Sequence, residues 1–206
     1  MAHIPDGVLS GPVLVVGAVA ATSLLAVALR RLDESRIPHA AVLASAFFVA
    51  SLLTVPLGPS SVHLLLNGLM GLLLGWAAVP AILVALILQA LFFGYGGIVV
   101  LGVNTVNLAV PALAVALLVR PLLAQDSPRR AFWAGVAAGL VGVLGTGAMV
   151  AASLATSGEG FATAAKIIAL TYLPLAGVEA LVTGSVLGFL YRVAPDLLPA
   201  RRLAHA

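Results

Sequence analysis

The chain contains no cysteine, which excludes thiolate-bound metals, iron–sulfur clusters and disulfides together. Charge is nearly as scarce. Only 8% of residues are Asp, Glu, Lys or Arg, against about 25% in soluble domains, so no ordinary hydrated surface can be built. The sequence has no GxxxxGK[ST] phosphate loop, no GxSxG elbow and no HExxH helix. It therefore does not itself draw energy from ATP, and hydrolase chemistry finds no obvious machinery. The net charge is +3, but the arginines stand in short clusters between apolar runs, so nucleic acid is not an expected partner. No basic stretch precedes the first apolar run, and a cleaved leader is not expected.

Apolar runs fill the rest, with 62% of residues hydrophobic. They predict an all-α polytopic membrane protein, one integral domain over residues 1–206, with seven transmembrane helices. The expected spans are Gly11–Leu29, Ala40–Leu57, His63–Val79, Pro80–Phe93, Ile98–Val119, Ala131–Leu154 and Lys166–Tyr191. A crossing takes about 20 apolar residues. The third and fourth runs divide only at Val79-Pro80, since proline suits a helix's first turn and disfavours helix in the residue before it. Arginines collect in Arg30–Arg36, in Arg120–Arg130 and from Arg192 onward. The positive-inside rule assigns these clusters to the cytoplasm. Seven crossings then put the N-terminus outside and the C-terminus inside a prokaryotic inner membrane. The start of the chain and the segment around His63 share the outer face in that arrangement.

Two histidines on that face suggest metal capture. Without Met1 the chain begins Ala2-His3, whose α-amine, His3 amide nitrogen and His3 ring nitrogen close two fused chelate rings. The ring of His63 completes the plane. Nitrogen-rich planar coordination favours Ni(II) or Cu(II). If Met1 is retained, its amine, two amides and the His3 ring fill the square without His63. Pro5 stiffens the segment and Asp6-Gly7 is a strong turn pair, so residues 1–10 read as a folded metal-binding segment. Asp6 either supports a ligand ring from behind or only shapes the turn. Asn67 falls one helical turn below His63, on a face shared with the GxxxG pair Gly71 and Gly75; it either steadies the site or bonds a neighbouring helix.

Further polar groups lie at membrane depth. Gln89, Asn104 and Asn107 read as interhelical hydrogen-bonding residues. Glu179 is ionisable inside a span, a functional candidate by default. His39 lies among the inner arginines and His205 in the tail, and neither reaches the outer site.

Several segments together resemble one family. HIPDG at His3–Gly7, PLGPSSVHLLLNGLMGLLLG at Pro56–Gly75, QALFFGYGGIVVLGVNTVN at Gln89–Asn107 and LPLAGVEALVTG at Leu173–Gly184 are similar to the CbiM/NikM family. Its members are substrate-binding (S) components of energy-coupling factor (ECF) transporters for nickel and cobalt. The likeness runs through nearly the whole chain, and the second segment looks closer to the nickel branch. It implies a seven-helix fold in which the terminal amine, the adjacent histidine and a second histidine hold the ion, here Ala2, His3 and His63. Members usually begin Met-His, so loss of Met1 restores the register. It also implies a transmembrane T subunit, cytoplasmic ATPase subunits and a small accessory membrane subunit as partners, alongside bilayer lipid. The divalent ion is then a transported substrate, with no resident cofactor and no catalysis. Two other classes compete: an intramembrane enzyme using His63 and Glu179, and a stand-alone divalent-metal channel.

Overall fold

Proline marks where several helices begin. In the computed structural model, which describes residues 3–57, 60–124 and 127–198, α1 (Gly11–Arg30), α2 (Ile37–Ala50) and α6 (Pro128–Ala155) carry it in the first turn. Its missing N–H is harmless there, because the first N–H groups of a helix have no intrahelical partner. The other helices are α3 (Asn67–Leu74), α4 (Ala78–Phe93), α5 (Leu101–Leu118) and α7 (Ala162–Val193). Between α2 and α3 stands an antiparallel hairpin of β1 (Thr54–Leu57) and β2 (Ser60–His63), with Thr54 opposite His63.

The expected seven transmembrane helices require correction. Among the described residues, five stretches are long and apolar enough to cross a membrane: Gly11–Arg30, Asn67–Phe93, Leu101–Leu118, Pro128–Ala155 and Leu170–Val193. The run expected over Ala40–Leu57 yields a 14-residue α2, about 21 Å long against a hydrocarbon core of about 30 Å. Its remainder passes into the hairpin. The run expected over His63–Val79 becomes helical only at Asn67, because His63 closes β2 and Leu66 adopts a left-handed φ of 48°. The break expected at Pro80 lies at Gly75 instead. Gly75 has a φ of 60°, open to glycine without steric penalty, and the 3-10 turn Gly75–Ala77 leads on into α4. Pro80 sits in the first turn of α4, where it breaks nothing.

Contacts establish which ends of the elements meet. The Arg31 guanidinium lies 4.6 Å from the Trp76 ring centroid, and the Arg120 side chain flanks Gly75. Burial, together with the nearby charge of Arg36, lowers the Arg120 pKa. Arginines thus crowd one end. From there α4 returns the chain to the opposite end, where Tyr95 lies beside His63. On the exterior, α1 leaves Val15, Val16 and Val19 exposed by 63%, 68% and 62%, an apolar surface suited to lipid.

At the centre, α3 buries Asn67, Gly68, Leu69, Met70, Gly71, Leu72 and Leu74, as a helix apolar on all sides should. Gly71 lets the α5 backbone at Ala112 approach so closely that a Cβ would collide with it. Gly75 serves the turn, so the expected glycine pair divides into one packing residue and one hinge. Gly71→Ala should destabilise the purified protein by about 1–3 kcal/mol, the usual penalty of overpacking. A thermal-unfolding midpoint in detergent equal to that of the parent would contradict this close approach.

Candidate metal centre

The segment after residue 2 is fastened to α5 and to the loop before it. The Asn104 side chain accepts the Ile4 N–H at 3.1 Å and donates to the Ile4 carbonyl at 3.0 Å. Ile4 itself is buried in a cluster with Leu9, Val100, Val103, Val150 and Leu154. Asp6 Oδ1 accepts the Val100 N–H at 2.9 Å, and the Asp6 carboxylate lies against Gly97. Gly7, at a φ of 83°, then turns the chain toward α1. These contacts hold His3 in place, and the residue is 5% exposed.

His63 arrives from the other direction, on the last residue of β2. Its ring centroid stands 5.1 Å from that of His3, with the ring planes 20° apart. Tyr95 completes a cluster of nearly parallel rings, with centroids 6.4 Å from His3 and 6.3 Å from His63. His63 Nδ1 lies 3.0 Å from the Leu64 carbonyl oxygen. An oxygen there only accepts, so Nδ1 carries the proton and Nε2 keeps its lone pair. Neither ring nitrogen of His3, nor Nε2 of His63, has a hydrogen-bond partner among the described residues.

Electrostatics keeps the pair neutral. Burial, reinforced by His63, pushes the His3 imidazole down to about 3. Burial lowers His63 too, against the opposing pull of its bond to Leu64. Both rings are then uncharged at neutral pH, the protonation state in which imidazole binds metal. Both His3 ring nitrogens and His63 Nε2 are therefore free to bind a metal ion. Among the described residues no three His, Asp or Glu side chains converge on such an ion. Met1 and Ala2 lie outside the described residues.

These features suit a subunit that binds an ion inside a membrane, and comparison with known proteins agrees. Residues 3–197 match the family described as the cobalt uptake substrate-specific transmembrane region, CbiM. The chain belongs to the CbiM family. A protein of Haemophilus influenzae named for metal transport is 39% identical over 198 residues, covering 95% of this chain and 96% of its own. The fused nickel transport protein NikMN of Rhodobacter capsulatus is 36% identical, and the match covers 97% of this chain and 65% of that longer protein. A solved transition metal transporter superimposes with a TM-score of 0.72 at 25% identity, covering 93% of each chain. Membership makes this CbiM chain a multi-pass, non-catalytic S component of an ECF metal transporter, not an enzyme. The family is described by cobalt and the Rhodobacter relative is named for nickel, so the comparisons show no bias to the nickel branch.

Other polar residues of this CbiM protein lie between the helices or at their ends. The Asn67 amide donates to the carbonyls of Leu108 (3.1 Å) and Gly142 (3.3 Å) and to Thr146 Oγ1 (2.9 Å). It thereby ties α3 to α5 and α6. Asn107 accepts from Ser153 Oγ at 3.2 Å, an interhelical bond, whereas the Gln89 side-chain amide has no hydrogen-bond partner among the described residues. Asn104 bonds the N-terminal segment instead of a helix. Glu179, fully buried, accepts the N–H groups of Leu65 and Leu66. His39 lines an apolar cleft together with Arg36, and His205 lies outside the described residues.

Proposed function

We infer that this chain captures Ni(II), or Co(II), for an ATP-driven importer, holding the ion between His3, the α-amine of a terminus processed to Ala2, and His63. One observation carries the reading: two buried imidazoles 5.1 Å apart, with both ring nitrogens of His3 and Nε2 of His63 lacking any hydrogen-bond partner among the described residues. Buried polar atoms are nearly always satisfied in native proteins, and a bound cation satisfies these. Nickel is favoured over cobalt, because the terminal chelate needs a metal that ionises an amide and prefers a plane of nitrogens. The arginine-rich end, with Arg31, Arg36 and Arg120, suits the cytoplasm. The histidine end then faces outward, where the ion arrives.

His63 reaches the ion through Nε2, since Nδ1 is held by the Leu64 carbonyl. The packed segment from Ile4 onward holds the His3 ring beside His63, and Tyr95 stands next to both rings. The sequence carries no nucleotide-binding loop, so energy comes from ATPase subunits acting through a transmembrane T subunit, with a small accessory membrane subunit as a further partner. Native mass spectrometry combined with elemental analysis tests the reading. One nickel or cobalt per chain, on a polypeptide lacking Met1, is expected; a metal-free chain after loading, or one ion held through oxygen ligands alone, would overturn it.

A further inference from the structure

We propose that Glu179 positions His63: its buried carboxylate on α7 holds the Leu65 and Leu66 peptide groups and so fixes the turn that presents the imidazole. This rests on the reading of His63 as an ion ligand. Glu179 is 0% exposed. Its Oε1 accepts the N–H of Leu65 and, at 3.0 Å, that of Leu66, with Oε2 3.2 Å from the same Leu66 nitrogen.

The turn needs such a restraint. Leu66 has a φ of 48°, a region that L-residues with a Cβ avoid because the Cβ crowds the following carbonyl. The N–H groups it offers stand at the start of α3, where no intrahelical acceptor exists. A carboxylate supplies both acceptors and complements the positive end of the helix. The effect reaches His63 through covalent neighbours, since the Leu64 carbonyl, one residue before the clasped pair, takes the Nδ1 proton of His63. Residues 63–66 thus fix ring position and tautomer together, and α7 holds the far end of that short segment. A displacement of α7 against α3 therefore moves an ion ligand, which gives partner subunits a mechanical route to release.

The test uses the full-length protein in detergent, titrated with nickel chloride by calorimetry, with the visible absorption of bound nickel as a spectroscopic readout. Glu179→Ala should weaken binding about 10- to 100-fold, the range for residues that orient a metal ligand, and shift the absorption band. Glu179→Gln keeps an acceptor oxygen at the same reach and should bind more tightly than Glu179→Asp, which is shorter by one methylene. In a His63→Ala background, Glu179→Ala should change residual binding no further. Parent-like affinity and spectrum in Glu179→Ala overturn the proposal. So does an Asp variant that binds better than the Gln variant, since charge would then matter more than reach. An equal loss with and without His63 overturns it as well. If Glu179→Ala fails to insert, the Gln and Asp pair decides. Full binding by His63→Ala defeats the ligand reading itself, whereas its loss beside unaffected Glu179 variants defeats only the positioning role.

Discussion

His63→Ala abolishes uptake and leaves only weak residual ion binding, in a chain that stays folded and inserted. The functional loss should exceed the roughly 100-fold effect of removing a residue that merely supports a ligand, because a direct donor disappears. Among the described residues no other histidine accompanies His3 at this end, so nothing nearby replaces the lost nitrogen. Folding should survive, since the ring's one hydrogen bond is to the adjacent Leu64 carbonyl and the helices pack through other residues. Equilibrium dialysis with nickel gives the affinity, uptake in cells expressing the complete transporter gives the function, and size-exclusion elution in detergent reports the fold. Normal uptake by this variant would remove His63 from the site.

The contrast between chemistry and geometry in the sequence has a physical origin. Scarce charge and long apolar runs announce a membrane protein without ambiguity, because solvation permits no other answer. The sequence singled out His3 and His63 from the motifs at the two positions, and in the fold their rings stand 5.1 Å apart. The count of crossings was not. His63 to Leu66 reads as the opening of an apolar helix, yet the turn at Leu66 is held by Glu179, 113 residues away. Local pattern carries no record of so distant a partner. Pro80 looked like a boundary because proline is a strong local signal, while the actual break at Gly75 depends on a positive φ that glycine permits but does not announce. Asn104 was read as a helix-to-helix amide for a similar reason: composition identifies a buried hydrogen bonder, and only the fold identifies the backbone it serves.

That backbone makes Asn104 the second residue on which capture depends strongly. Asn104→Leu, close in volume, should release the N-terminal segment from α5 and weaken nickel binding severely. The side chain accepts from the Ile4 N–H and donates to the Ile4 carbonyl, and both groups are buried. Leaving each unsatisfied costs about 1–3 kcal/mol, so the docked segment loses about 2–6 kcal/mol in all. At about 1.4 kcal/mol per tenfold, the affinity falls by roughly 30-fold to 10⁴-fold. The upper part of that range is reached only while the segment stays docked; once it undocks, water satisfies Ile4 and the loss is limited to the free energy of docking. The affinity change therefore also measures how firmly the segment is held. Limited proteolysis followed by intact mass supplies the independent readout, with cleavage between His3 and Ser10 appearing in the variant and absent from the parent. An Asn104→Leu protein that binds nickel as tightly as the parent and resists cleavage would mean that Ile4 burial and the Asp6 bond to Val100 suffice without the clamp.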